Sequence, residues 1–410
     1  MSRTCWLTNV RLESSYRYEN GFVVGTDCET CHLLIEDGRI VRIEPASTTV
    51  DHTLPRLDAH GLLALPPFRE MHNHLDKTYL GGPWKSAVPV NKLTERLEIE
   101  AQELTSLLPE REKRAKLLLD LFVDSGVNHV RTHVNVDPYI GLKNLEAVRH
   151  ALEAFQDKLT YDIVAFPQHG LLREQVPGLM RQAMREGATM VGGLDPGGID
   201  KRIEASLQEM MNIAVETDAD VDMHLHDGGH LGWYTMMKLA DMTSVAGWQG
   251  RVSVSHAFAM YDLPHTRNEE LADRFVELGI SIMSTVPNGS PPIPLLQEKG
   301  VQVALGCDGF YDCWAPFGSG DVLEKAWRLA GKYRWFDEAS LAQTLGFITG
   351  GVTPLDRNGQ RMWPKVGDDA SIVFAEASCS AEVVARRAKR PAVMYKGKLV
   401  AGSLTSEMEH

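Results

Sequence analysis

Arg251-Val252-Ser253-Val254-Ser255, then a helical pattern over Glu269–Leu278, then Ile280-Ser281-Ile282-Met283: this stretch decides how the chain is read. The two flanking runs are short, apolar or β-branched, and read as buried strands. Between them, Glu269–Leu278 carries apolar residues at i, i+3, i+4 and i+7, the spacing of one helix face. The alternation extends both ways. Upstream, candidate strands lie at Leu62–Leu65, His129–Val134, Asp162–Phe166, Met190–Leu194 and Val221–Leu225, and downstream at Val301–Leu305. A second helical pattern covers Leu142–Phe155. Eight such β-then-α units in series predict an α/β fold, a TIM-type (β/α)8 barrel. Helical stretches near Leu93–Leu107 and Glu110–Val123 fall between the first and second strands and read as a long insertion.

Both ends of the chain change character. The first part consists of short apolar runs (Cys5–Val10, Gly21–Val24, His32–Ile35) broken by Gly, Asn and Asp. Asp37-Gly38 before Arg39-Ile40-Val41 reads as a hairpin turn. Near the other end, Asp369–Phe374 has a strand pattern and Val393–Val400 a hairpin around Lys396-Gly397. The two ends are expected to join in a small β-sandwich domain, residues 1–63 with 364–410, beside a barrel over residues 64–363.

Composition narrows the function. With 410 residues, 43% apolar, the chain builds a large core. At roughly 150 residues per domain the length allows two or three units, or one barrel with an appendage. Asp and Glu number 55 against 42 Lys and Arg, for a net charge of −13. No run of basic residues offsets that field, so nucleic acid is not the expected partner, and a neutral or weakly basic small molecule is. No apolar run is long enough for a membrane span. The start, Met1-Ser2-Arg3-Thr4-Cys5-Trp6, lacks the apolar core of a signal peptide. The six cysteines are sparse, which points to the reducing cytoplasm. Cys28 and Cys31 form a C-x-x-C with no second pair, and read as strand-end cysteines rather than a metal site.

In a barrel, reactive side chains belong at the C-terminal ends of the strands. After the first candidate strand comes His72-Asn73-His74, whose histidines at i and i+2 point to one side of an extended chain. The fifth strand ends in His224-Leu225-His226-Asp227, the sixth in His256 and the eighth in Asp308. Gathered at one mouth, these imidazoles and a carboxylate suit one divalent metal, Zn2+ or Fe2+.

The motifs resemble those of the amidohydrolase superfamily, in its cytosine deaminase-like branch. Met71-His72-Asn73-His74-Leu75-Asp76-Lys77 is similar to that branch's H-x-H-x-D-K. Arg131-Thr132-His133-Val134, Val164-Ala165-Phe166-Pro167-Gln168, Ser255-His256-Ala257 and the run Asp308–Gly318 match as well. Within the branch, Val191-Gly192-Gly193-Leu194-Asp195-Pro196 and the pair His226-Asp227 look closest to the N-isopropylammelide isopropylaminohydrolases, which degrade triazines. The resemblance implies that His72, His74, His224 and Asp308 hold the metal and that His256 hydrogen-bonds its water. It makes Asp308, His226, His256, Asp227 and Lys77 the candidate catalytic groups, and Gln168, Asp195 and Trp314 the candidate substrate contacts. The ends of strands three and four carry no Lys that could bridge two metals, so a mononuclear centre is expected. Relatives of this kind are often homo-oligomers, which is the expectation here. One position departs from the pattern: the residue after the metal-binding Asp is polar in both groups of relatives, and here it is Gly309.

The expected reaction is metal-assisted hydrolysis. A bound divalent ion lowers the pKa of its water toward about 7. Asp308 takes the water's proton, the hydroxide attacks a ring carbon bearing an exocyclic amine, and His226 or Asp227 protonates the adjacent ring nitrogen. His256 stabilises charge on the attacking oxygen. The heterocycle would be a pyrimidine, triazine or pterin, and the leaving group ammonia or an alkylamine. Two alternatives stand beside this: ring opening of a cyclic amide or imide, and a barrel kept as an inactive scaffold. The segment Gly82-Pro83-Trp84-Lys85 in the long insertion is expected to help cap the pocket.

Overall fold

The computed structural model describes residues 4–407. An eight-stranded parallel sheet follows chain order: Phe68–Asn73, Val127–Asn135, Thr160–Phe166, Met190–Leu194, Asp220–His224, Val252–Ser255, Ser281–Ser284 and Val303–Leu305. Helices lie between successive strands, so the fold is the expected (β/α)8 barrel. Each helix forms because one face is apolar. Lys143–Glu153 buries Leu145, Val148, Ala151 and Leu152. Val322–Tyr333 opens on Asp321, whose carboxylate accepts the Leu323 amide, and buries Leu323, Ala326, Leu329 and Ala330. The insertion after the first strand holds helices Leu93–Leu107 and Arg111–Asp124.

The barrel closes by an unusual seam. The eighth and first strands meet through an isolated bridge, Asn73 to Asp308, in which the Asp308 amide donates to the His72 carbonyl at 2.7 Å. The buried Glu70 carboxylate accepts the amides of His72 at 3.1 Å and Cys307 at 2.9 Å, bonds that a continued ladder would otherwise make. Burial pushes the Glu70 carboxyl up to about 7, against the pull of those amides. A Cβ at Gly306 would stand 2.4 Å from the His72 nitrogen, so only glycine lets the strands approach this closely. The device that closes the barrel therefore also fixes His72 beside Asp308.

Leu62–Leu65, expected as the first barrel strand, lies elsewhere. Leu63–Leu65 pairs antiparallel with Ile372–Ala375 and touches Thr4–Glu19 at Arg11. Pro66-Pro67 follows it, and two residues without an amide hydrogen cannot extend a ladder. The first barrel strand starts after them, at Phe68, and His72 sits inside it rather than after it.

The two ends do join. Lys398–Gly402, Ala392–Tyr395, Ile372–Ala375, Leu63–Leu65, Thr4–Glu19, Phe22–Glu36 and Arg39–Pro45 are neighbours in that order, with Arg56–Asp58 and Thr405–Glu407 beside them. Among the described residues they are hydrogen-bonded into one nine-stranded sheet built from both ends of the chain. Cys28 and Cys31 lie within the long strand Phe22–Glu36, not at its end. Three residues apart on a strand they face opposite sides, which rules them out as a chelating pair. Among the described residues no helix is long and apolar enough to cross a membrane.

Candidate active site

The C-terminal ends of the strands bring the expected groups together. His72 Nε2 and His74 Nε2 stand 3.5 and 3.4 Å from Asp308 Oδ1, and His256 Nε2 stands 4.0 Å from Asp308 Oδ2. The His224 ring centroid is 4.6 Å from that of His72 and 5.4 Å from that of His74. Donor atoms of His72, His256 and Asp308 lie within 4.8 Å of one another, and so do those of His72, His133 and His224. His133, on the second strand, is thus an additional imidazole at the centre. Its place at a strand end in Arg131-Thr132-His133 was the signal available in the sequence.

Hydrogen bonds fix which nitrogens face inward. Ser255 Oγ donates to Asp222 Oδ1 at 2.6 Å, so its own lone pair accepts the His72 Nδ1–H at 2.9 Å. His74 Nδ1 is 3.2 Å from the His133 carbonyl, which only accepts. Both rings therefore carry their hydrogen on Nδ1 and turn an Nε2 lone pair toward Asp308, the state a metal ligand needs. Burial holds His74, His133, His224 and His256 below the usual imidazole range, with the last three well below it. His72 Nε2 and both nitrogens of His133, His224 and His256 are buried without a hydrogen-bond partner. Neutral, unpartnered lone pairs around a carboxylate fit a divalent cation. Burial works against ionisation of Asp308, but the imidazoles around it, His256 first and then His72 and His74, outweigh that and hold it well below the usual carboxylate range.

The backbone here is strained. Asp195, His256, Val286 and Asp308 have φ of 36°, 69°, 54° and 65°, in the left-handed region. Such residues cost about 1–3 kcal/mol each and gather where function fixes them.

Above the centre lies a cavity of about 260 Å³, lined by His74, Lys77, Phe166, Gln168, His224, His226, His256, Asp308, Asp312 and Trp314 among others. Lys77 Nζ donates to Glu100 Oε1 at 3.0 Å and to Gln168 Oε1 at 2.8 Å. It also lies 5.7 Å from the centroid of the Trp314 ring and 5.8 Å from that of Phe166. Phe166, at the end of strand three, stacks on His224 at 4.1 Å. Glu100 comes from the insertion helix Leu93–Leu107, and no sequence signal marked it.

Two residues stand differently from expectation. Asp195, read as a substrate contact, is 1% exposed and does not line the cavity. Its carboxylate instead accepts His226 Nδ1 at 2.8 Å and the amides of His226 and Asp227 at 2.5 and 3.1 Å. Asp227, read as a proton donor to the substrate, also stays off the cavity wall, because its Oδ2 turns to the Gly198 amide at 2.9 Å. His226 is the one that faces the cavity. Burial lowers its pKa, but the hydrogen bond and charge of Asp195, with Asp308 and Asp227, outweigh that and raise it. The segment Gly82–Lys85 is not among the cavity-lining residues: Trp84 stacks on Tyr311, a residue of the Asp308 loop, at 5.4 Å. The insertion reaches the site through Glu100, and through Arg96, which donates to the Cys313 carbonyl at 2.6 Å.

A model of the amidohydrolase family matches residues 167–401. The uncharacterized protein YahJ of Escherichia coli strain K12 is 43% identical over 407 residues, covering 97% of this chain and 88% of that one. The crystal structure of N-isopropylammelide isopropylaminohydrolase from Burkholderia multivorans ATCC 17616 superposes with a TM-score of 0.85 at 30% identity, over 98% of each chain. That of 5-methylcytosine deaminase from Klebsiella pneumoniae, liganded with phosphonocytosine, superposes with a TM-score of 0.80 at 26% identity, over 99% of this chain and 100% of the other.

Proposed function

The chain belongs to the amidohydrolase family, in its cytosine deaminase-like branch, and from that premise we propose that this metal-dependent C–N hydrolase removes an exocyclic amine from an N-heterocycle. The ring is a pyrimidine, triazine or pterin, and the amine leaves as ammonia or an alkylamine. One observation carries the reading. The inward-facing imidazole lone pairs and the Asp308 carboxylate meet at the floor of a cavity whose wall presents a proton-holding histidine, His226.

His72, His74, His224 and Asp308 are the proposed ligands of one divalent metal, zinc or iron. When bound, it supplies Lewis acidity and acidifies water. Phe166 occupies the strand-three end, where a bridging ligand for a second ion would project, which supports a single metal. Asp308, with 37% of its side chain exposed, accepts the proton of the attacking water and returns it to the leaving amine. The 4.0 Å between His256 Nε2 and Asp308 Oδ2 is a gap one water oxygen bridges, so His256 steadies charge on the nucleophile. His226, with its Nδ1–H held by Asp195, delivers a proton from Nε2 to the ring nitrogen beside the attacked carbon. Lys77 holds the Gln168 oxygen, which leaves the Gln168 amide hydrogens for an acceptor on the ring. Lys77 stays charged: burial opposes this, but Glu100 and Asp76 raise its pKa. Trp314 offers its face to the ring.

The direct test is amine release by zinc-loaded protein from aminopyrimidines, aminotriazines, aminopterins and their N-alkyl forms. Release of ammonia or alkylamine supports the reading. A metal-bound protein that releases none from the whole panel overturns it and favours ring opening. His226→Ala is expected to keep its metal and lose about 10²–10⁴-fold in kcat. Loss of the metal instead would make His226 a ligand. Asp195→Asn is expected to cost about 10–100-fold, since it removes the carboxylate that orients His226 rather than the ring itself. Metal analysis beside steady-state kinetics decides both.

A further inference from the structure

Gly309 lines the cavity next to Asp308. A Cβ built there would lie 2.4 Å from Asp312 Oδ2 and 3.2 Å from its Cγ. The space of a side chain at 309 is already filled, by the carboxylate of a residue three positions on. Gly309 is not among the left-handed residues, so what it provides is room rather than backbone freedom.

The two oxygens of Asp312 do different things. Oδ1 accepts the amides of Trp314 and Ala315 at 2.7 and 3.1 Å and so caps its own loop. Oδ2 has no hydrogen-bond partner, although the residue is 1% exposed and lines the cavity. Burial pushes the Asp312 carboxyl up to about 7 against the opposing charge of the Lys77 ammonium, whose own hydrogen bonds go to Glu100 and Gln168. A loop cap needs only Oδ1. A buried carboxylate oxygen left without a donor is costly, and such groups are kept where a ligand completes them.

We propose that Asp312 is a specificity-determining residue whose Oδ2 accepts an N–H from the substrate ring, in the place a side chain at 309 would otherwise occupy. This rests on the heterocycle reading above and narrows it. Gln168 offers a donor and Asp312 an acceptor, both in contact with the field of Lys77. Together they match a lactam edge, –NH–C(=O)–, so the ring is an oxo-heterocycle that keeps a protonated nitrogen on the edge it turns to Asp312. A ring alkylated at that nitrogen is rejected.

The test is calorimetric titration of zinc-loaded protein with uracil, cyanuric acid and pterin, and with ring N-methyl forms of each. Asp312→Asn keeps the Oδ1 acceptor for the loop and places an NH2 group where Oδ2 stands. It is expected to weaken binding of the N–H probes by about 10–100-fold and to abolish the preference over the N-methyl forms, with the unfolding midpoint unchanged. Gly309→Ala, which pushes the carboxylate aside, is expected to lose the same preference with its metal retained, and it decides the matter if Asp312→Asn does not fold. Binding by Asp312→Asn within about threefold of the parent, or no N–H preference in the parent, including no binding of any probe, overturns the proposal. Amine release, measured in parallel, separates the two readings. Release with an unchanged preference in Asp312→Asn refutes only the role of Asp312. A lost preference with no amine released refutes only the aminohydrolase.

Discussion

Asp308→Ala is expected to abolish turnover and metal retention together. The side chain stands within 4.0 Å of His72, His74 and His256, so its removal takes away a ligand, a proton acceptor and the anion that gathers these imidazoles. Loss of a general base alone costs about 10²–10⁴-fold, and loss of the ion that acidifies the water adds to it. Alanine at this position also brings a backbone cost, because φ is 65° and Asp and Asn tolerate that region better than Ala. Asp308→Asn separates the two effects. It keeps the shape and a side chain suited to the backbone, while it removes the charge. Metal content by elemental analysis and amine release by coupled assay are expected to fall in both variants, and the unfolding midpoint further in Asp308→Ala. A full complement of metal with a rate within about tenfold of the parent in either variant would sink the site as drawn.

Much of that site was legible because strand ends are. A β/α alternation with His or Asp just past several strands says where those side chains meet before any coordinate is known. What failed was legible only in three dimensions. Leu62–Leu65 has the composition of a barrel strand, and only the Pro66-Pro67 break separates it from the strand that follows. Asp195 and Asp227 occupy the right loops, but a φ of 36° at Asp195 and the amide of Gly198 decide which way each carboxylate turns. His133 sat in the motif Arg131-Thr132-His133-Val134 near a strand end, but the motif alone gave it no role at the centre. Gly309 was visible as a missing side chain. That Asp312 fills the gap is a matter of distance alone. Glu100 was the hardest, since it arrives from an insertion whose docking onto the barrel leaves no periodic trace.

Glu100→Ala is the second large effect expected, and it falls on stability before it falls on rate. Lys77 and Glu100 have side chains 3% and 1% exposed, so neither charge has water to turn to. The Lys77 ammonium keeps only the Gln168 oxygen once the carboxylate is gone. Asn135 loses an acceptor as well, since its Nδ2 donates to Glu100 Oε1 at 3.2 Å. Removing one partner of a buried pair costs about 3–5 kcal/mol, more than the pair itself contributes over an apolar substitute. The double variant Lys77→Met with Glu100→Leu is therefore expected to recover most of the loss, which a simple packing defect at Glu100 would not allow. The sign with pH follows from the raised Lys77 pKa. Stability from this group is complete below its unfolded value of about 10.4 and fades only as pH rises through the higher folded one, so it stays constant between about pH 6 and 9. In Glu100→Ala the ammonium loses its ion-paired carboxylate and keeps only the charges of Asp76 and Asp312 against the cost of burial, so its folded pKa is expected to drop below the unfolded value and stability to rise with pH as the lysine loses its proton. Urea unfolding of the metal-loaded variants across that range reads both effects. A Glu100→Ala curve within about 0.5 kcal/mol of the parent and parallel to it would mean that the pair is solvated and that Lys77 does not need Glu100 to hold Gln168 in place.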